Sequence, residues 1–382
     1  SRVFEFLGAD VLRLNHVGDW GTAFGMLIVY LKANHPDVLK KTVSTDLSEL
    51  VQWYKKAKLQ FDADNDFKQR SQQQVVALQA GDPESLAIWE LICDISRKGF
   101  QEIYSILDVK LHERGESFYN PWLLSTVELL KQKKLAVVSD GAQCVYLDGF
   151  KNREGDPLPL IVQKSDGGFN YATTDLAALS HRVEHEGANR IIYVTDSGQS
   201  LHFKMVFSTA EKAGLFEAKK TAIDHVGFGL VLGEDGKKLK TRSGDTVPLR
   251  SLLDNAVAKA KSIILEKGRD WGEKEIDTAA KVIGIGAVKY ADLSNYRVND
   301  YRYSLERMLS FEGNTATFII YSNARINSIL RKSKVIAEDL AHVIVDLKSP
   351  AEQLLAFHLA RFSDVIYKIT TDLTPHYLTD YL

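Results

Sequence analysis

The stretch VLRLNHVGDWGT, residues 11–22, reads as a short strand over 11–17 that ends at Gly18-Asp19. Beyond it Phe24, Leu27, Ile28 and Leu31 recur at helical spacing, and the pattern fades near Pro36. Strand, glycine-containing turn and helix in that order open a βα unit. A turn flanked by glycines lets a ligand approach the backbone, and the helix N-terminus behind it favours phosphate. A plain βα turn with a hydrogen-bonded His16 accounts for the same letters, so this segment alone does not decide function.

Upstream, Ser1 to Glu5 reads as the middle of a helix that Gly8 closes. Downstream, residues 46–108 carry charged amphipathic helices with a break at Gly81-Asp82-Pro83. Their aromatic residues (Trp53, Tyr54, Phe61, Trp89, Phe100, Tyr104) are read as core contacts rather than base-stacking platforms. Strand-like runs follow at 135–138 and 144–147 across Ser139-Asp140-Gly141, then at 158–163 and 169–171 across Ser165-Asp166-Gly167-Gly168. A helix is predicted from Thr174 to Glu186, with Gly187 ending it. A buried-type strand over 190–194 and a helix over 201–213 that stops at Gly214 complete the alternation. Such alternation argues for an α/β domain with a mainly parallel sheet. After Pro248 almost everything reads as helix, including 315–334, and the change of class near 245–310 marks a domain boundary.

A chain of 382 residues allows two or three domains. Apolar residues at 45% and charged residues at 26% are ordinary for a soluble globular protein. No run of about 18 apolar residues is present, so no membrane span is expected. The first residues do not read as a signal peptide, and a cytoplasmic location is the default. Cys93 and Cys144 lie too far apart in sequence for a disulfide framework or a zinc site. The net charge of -2 excludes a uniformly basic nucleic-acid binder but leaves room for a local basic face. Nor does it give a reason to expect an obligate assembly, so a monomer is expected.

Two further segments place polar groups where α/β folds put ligands. In the first, Tyr171-Ala172-Thr173-Thr174-Asp175 opens a helix, and Asp196-Ser197-Gly198-Gln199 follows the next strand. Tyr171 and Asp175 are four residues apart and share a helix face. A carboxylate beside an aromatic ring suits a guanidinium, which forms paired hydrogen bonds and stacks on π faces. An acidic residue meeting the helix dipole is the plainer account of the same pattern. In the second, His225-Val226-Gly227-Phe228-Gly229 precedes Gly236-Lys237-Lys238-Leu239-Lys240-Thr241-Arg242-Ser243-Gly244. Four cations within six positions, bracketed by glycines, can fold over a triphosphate and stabilise charge moving onto pyrophosphate. A solvated hairpin tip explains the composition equally.

In this order LRLNHVGDWGT, FNYATTDLAAL, GQSLHFKMVF, HVGFGLV, GKKLKTRSG and GAVKYADLS resemble the arginyl-tRNA synthetases, along essentially the whole chain. The resemblance implies a class I synthetase: a Rossmann-type α/β catalytic domain over 1–245 with a helical insertion at about 46–115. A helical connecting region over 246–310 and the start of an all-α anticodon-binding domain over 311–382 would follow. FIIYSNARINSILRK, 318–332, looks like the opening of the latter. Lys238, Lys240 and Arg242 would belong to the counterpart of the KMSKS loop, which assists ATP, although the loop departs from that signature at several positions. His225, Val226 and Gly227 would lie by the adenine, and Tyr171, Asp175 and Gln199 around the substrate arginine. The implied activity is an arginine–tRNA ligase that uses ATP with Mg²⁺ and takes L-arginine and tRNA(Arg) as partners.

The resemblance has gaps. The class I His-x-Gly-His signature is absent from the 382 residues, and its expected place is just upstream of Ser1. Leu382 falls inside the anticodon-binding domain, so the chain reads as a fragment expected to lack full activity. Ala23 stands where the family usually carries glutamine. The rival reading is a non-catalytic tRNA-binding paralogue that has lost the signature. A lysine-specific relative is the harder one to exclude by physics, since one carboxylate also binds an ammonium.

Overall fold

Aspartates set the helical frame of the region around 46–108. Asp46 accepts from Glu49 N at 3.0 Å, Asp64 from Asp66 N at 2.9 Å, and Asp82 from Ser85 N at 2.8 Å. Each thereby satisfies donors that the first helical turn leaves free. In this computed structural model, which describes residues 1–40, 42–43, 45–237, 239, 247–268, 270–334 and 343–382, these caps start three successive helices. They are α4 (Leu47–Ala63), α5 (Asn65–Gln79) and α6 (Pro83–Leu107), preceded by α1 (Arg2–Phe6), α2 (Thr22–Asn34) and α3 (Pro36–Leu39).

The chain divides into two units. One contains Ser1–Val11, Thr195–Ser197 and Val226–Leu382; the other contains Leu12–Val194 and Gly198–His225. In the second unit β1 (Leu14–Asn15) pairs in parallel with β2 (His112–Glu113), Leu14 opposite His112. Met26 to Leu31 of α2 are buried with Trp53, Phe67, Leu78 and Ile92 of α4–α6, and Ala23 packs against the same cluster. Burying a side chain such as Leu78 stabilises by about 1.5–3 kcal/mol. A Cβ on Gly25 would lie 2.3 Å from Ser71 O, so only glycine permits the approach of α2 to α5.

The same unit continues through α7 (Asn120–Gln132) to β3 (Ala136–Ser139), β4 (Ala142–Lys151) and β5 (Pro157–Gln163), an antiparallel sheet in the order β3-β4-β5. Helices α8 (Tyr171–Glu184) and α9 (Ser200–Ala213) pack Leu176, Leu179, Met205 and Val206 with Val145 and Val162 of that sheet. β6 (Arg190–Asp196) and β7 (Ala222–Phe228) form a further sheet, and Arg190 Nε donates to Asp224 Oδ2 at 2.8 Å.

The first unit holds β8 (Val231–Leu232) and β9 (Tyr301–Arg302), paired in parallel. The rest of it is helical: α10 (Leu249–Glu266), α11 (Glu273–Ser294), α12 (Leu305–Met308) and α13 (Ala316–Ser333), then α14 (Pro350–Ala360), α15 (Phe362–Asp372) and α16 (His376–Tyr381). Ala260, Ile264, Ile276 and Ala280 form the seam of α10 with α11. Thr315 caps α13 by accepting from Phe318 N at 3.2 Å.

One expectation needs correction. Residues 169–171 are not a strand: Asn170 caps α8 by accepting from Ala172 N at 3.1 Å, and Tyr171 is the first helical residue. Asparagine in the extended conformation before a helix competes successfully with the strand signal of Phe169 and Tyr171. The described strands pair in both senses: β3-β4-β5 is antiparallel, and β1–β2 and β8–β9 are parallel.

Candidate active site

Asp175 sits one turn into α8 behind Tyr171, and both meet His202 of α9. His202 Nε2 donates to Asp175 Oδ2 at 2.6 Å, while the Tyr171 ring stands edge-on to the imidazole with centroids 4.8 Å apart. On the other carboxylate oxygen, His16 Nε2 lies 3.9 Å from Asp175 Oδ1. His16 Nδ1 is 3.4 Å from Arg182 Nη2. Arginine only donates, so Nδ1 is the acceptor and Nε2 carries the proton facing Asp175. Burial lowers the His16 pKa against the raising effect of Asp175, with Arg182 adding to the decrease. The imidazole is therefore neutral near pH 7.

Arg182 is buried, and its guanidinium packs over the Tyr193 ring at 5.1 Å while Nη2 reaches Tyr119 Oη at 3.5 Å. Aromatic faces thus take the place that a carboxylate would occupy around a buried cation.

The β1–β2 pairing brings two loops together. Beyond it Glu116 N donates to Val17 O at 3.0 Å, which sets Glu116 beside the His16 segment. Asp19 accepts from Ser117 N at 2.8 Å and from Ser117 Oγ at 2.6 Å. A Cβ on Gly115 would lie 2.1 Å from Asp19 Oδ2, so this carboxylate needs a glycine beneath it. Burial, with Asp175 and Asp19 nearby, pushes the Glu116 carboxyl up to about 7. Two other carboxylates raise the cost of ionising a third in a desolvated place.

The rings continue as a ladder. His202 meets Phe203 at 5.1 Å, and Phe203 stacks on His225 at 5.0 Å with 21° between planes. The residue expected beside adenine is thereby tied through Phe203 and His202 to the pair expected beside arginine. Gln199 is exposed at the N-cap of α9, three residues before His202. Val226 and Gly227 lie in β7. Lys238, Lys240 and Arg242 lie outside the described residues.

Sequence reading missed His202, His16 as a partner of Asp175, Glu116 and Arg182. His202 was within reach, since three residues after Gln199 it returns to the same helix face. Glu116 was not, because it joins the site through a pairing of two-residue strands. Chemically, the site offers carboxylates at two depths, a neutral imidazole and an exposed tyrosine ring, a set suited to a planar cation.

The model of the catalytic domain of class I (R) tRNA synthetases matches residues 1–305, and that of the DALR anticodon binding domain matches 319–382. The chain is similar to the arginine–tRNA ligase of Protochlamydia amoebophila, 51% identical over 383 residues covering 100% of this chain and 66% of the relative. It is likewise similar to that of Synechocystis sp., 53% identical over 387 residues with the same coverage. The chain thus spans about two thirds of the length of these curated relatives. Among solved structures, the arginyl-tRNA synthetase of Plasmodium falciparum superimposes with a TM-score of 0.86 at 37% identity, over 100% of this chain and 62% of that one. The Thermus thermophilus arginyl-tRNA synthetase shares the fold, with a TM-score of 0.74 at 20% identity over 100% of this chain and 67% of that one.

Proposed function

The chain belongs to the class I arginyl-tRNA synthetases, and we propose on that premise that it forms the arginine- and ATP-handling part of an arginine–tRNA ligase. The observation that carries this reading is Asp175, flanked by Tyr171, His202 and His16 and backed by Glu116. Burial together with the nearby Asp175 and Asp19 carboxylates pushes the Glu116 carboxyl up to about 7, so negative charge is concentrated beside Asp175. A guanidinium entering it meets a carboxylate for paired hydrogen bonds and the Tyr171 ring for stacking. Gln199, exposed three residues before His202, is the third residue of the arginine-binding set.

The chemistry has two steps. The arginine carboxylate attacks the α-phosphate of ATP, the bond to the β-phosphate breaks, and arginyl-adenylate and pyrophosphate form. A terminal ribose hydroxyl of tRNA(Arg) then attacks the activated carbonyl and releases AMP. Neither step needs a protein nucleophile, so rate enhancement rests on positioning and on positive charge near the phosphates. Lys238, Lys240 and Arg242 supply that charge, Mg²⁺ arrives with ATP as part of the substrate, and His225, Val226 and Gly227 receive the adenine. We take the domains as 1–245, 246–310 and 311–382, and the working form as a monomer in the cytoplasm. No helix among the described residues is long and apolar enough to cross a membrane.

The test is aminoacylation of total tRNA by the complete gene product with ATP and Mg²⁺, offering each amino acid in turn. Charging with arginine alone is expected. An intact, folded protein that charges tRNA with none of them, or with lysine, overturns the reading.

A further inference from the structure

The unit containing Val226–Leu382 holds a cavity of about 460 Å³ lined by Tyr296, Arg297, Asp372, Thr374, His376 and Tyr377. It lies where the chain leaving α11 meets the turn between α15 and α16. Three polar atoms of its lining are buried with no hydrogen-bond partner among the described residues: Arg297 Nε, Thr374 Oγ1 and His376 Nδ1. Thr374 is only 3% exposed. Native folds leave few such groups unpaired, and three around one cavity point to an occupant that pairs them.

The donor set says what kind of occupant. Arg297 Nε–H can only donate, and the Thr374 hydroxyl and the His376 tautomer with its hydrogen on Nδ1 can donate as well. Convergent donors with one fixed cation suit a phosphate, and Arg is the side chain best matched to its geometry. The cavity is larger than a lone phosphate needs and falls in the range of about 300–1,000 Å³ that small-molecule ligands fill. Rings line the rest: His376 lies 5.4 Å from Tyr296 and 4.4 Å from Tyr377. Lys368 Nζ sits 3.9 Å from the centre of the Tyr377 ring. Tyr296 is 44% exposed and can stack a base. Asp372 would repel a phosphate placed on it, but an exposed carboxylate at the rim accepts well from a ribose hydroxyl. Arg297 is held in place by its own backbone, whose carbonyl accepts from Gly229 N at 2.8 Å.

We propose that this cavity seats one ribose-phosphate unit of an RNA strand: the phosphate on Arg297, Thr374 and His376, the base against Tyr296, and the 2′-hydroxyl on Asp372. The assignment rests on tRNA being a partner of the protein, as argued above. Arg297 belongs to the segment matched by the catalytic-domain model, and Thr374 and His376 to that matched by the anticodon-binding model. One nucleotide held here is therefore touched by both.

The complete protein, as wild type and as Arg297→Gln, Thr374→Val and Asp372→Ala, is titrated with a tRNA(Arg) transcript, the same sequence made as DNA, and inorganic phosphate. Arg297→Gln is expected to weaken tRNA binding about tenfold and to reduce the salt slope by about one. Thr374→Val, which keeps the side-chain shape, is expected to weaken it a few-fold, and Asp372→Ala to erase the preference for RNA over DNA. Arginine affinity, read by calorimetry, stays at the wild-type value in all three. Thr374→Val decides the matter if Arg297→Gln fails to fold. Unchanged tRNA affinity and salt slope in the folded variants overturn the proposal. So does phosphate binding that Arg297→Gln abolishes while tRNA affinity is untouched, which would mark a free-anion site. A wild type that binds arginine but no tRNA also overturns it, whereas a wild type that binds tRNA but not arginine sinks the ligase reading alone.

Discussion

The polar groups around Asp175 and those around Arg297 are drawn from the same residue types, arginine, histidine, tyrosine and aspartate, and stand in opposite condition. Around Asp175, one oxygen accepts from His202 and the other faces His16, whose second nitrogen faces Arg182. Around Arg297, three buried polar atoms have no partner among the described residues. A ligand entering the first place must exchange with partners already there, so selectivity comes from what it replaces. In the second it supplies partners that were missing, and the gain is affinity. A count of charges would not separate these two places, but the completeness of their hydrogen bonding does.

The comparison is tested most severely at Asp175. Asp175→Asn keeps the shape and the contact with His202 but removes the charge that, on the proposed reading, pairs with the guanidinium. Unpairing a buried charged contact costs about 2–5 kcal/mol, so the arginine KM in steady-state aminoacylation should rise by roughly 30-fold or more. A change within threefold would show that the carboxylate serves only the α8 terminus.

Next comes Glu116. Its folded pKa of about 7 lies above the ordinary 4.5. The native state therefore keeps a proton that the unfolded state has released, and stability falls as pH rises from about 4.5 through 7. Glu116→Gln should match the wild type in thermal unfolding at pH 4 and exceed it at pH 8 by roughly 3 kcal/mol. Arginine affinity should climb through the same window in the wild type, as the carboxyl ionises, and lose that climb in the variant. Parallel pH profiles for the two proteins would remove Glu116 from the site.

The smallest effect is the sharpest contrast. Thr173 is fully buried and its hydroxyl donates to Val162 O, whereas the equally buried Thr374 hydroxyl donates to nothing described. Thr173→Val should cost about 1–2 kcal/mol in denaturant unfolding, and Thr374→Val less than about 0.5 kcal/mol. Equal costs would mean that Thr374 has a partner of its own.

What could be read in the sequence follows the range of the forces involved. Helix α13 was legible from Thr315 to Lys334 because caps and periodicity are local. Tyr171 and Asp175 were legible as neighbours because four residues make one helical turn. The run 169–171 was misread because a single cap at Asn170 outweighs two β-favouring aromatic residues. Glu116 and Asp19 become neighbours through a two-residue parallel pairing that leaves no pattern in the chain, and the separation of 98 positions between Asp19 and Ser117 carries no trace of it. Arg297 and His376 were passed over for the same reason, since only tertiary packing brings them to one cavity.

Gly25 has a consequence for how this protein opens. With the α2 backbone against Ser71 of α5, and Met26 to Leu31 sharing one apolar cluster with α4–α6, residues 22–34 have no core of their own. The stretch near 46–115 is therefore no detachable appendage but half of a single foldon whose other half carries the turn with His16. Amide protons of α2 and of α4–α6 should exchange together, with one opening free energy. A deletion of the stretch would leave a βα unit whose helix has lost its solvent-free side.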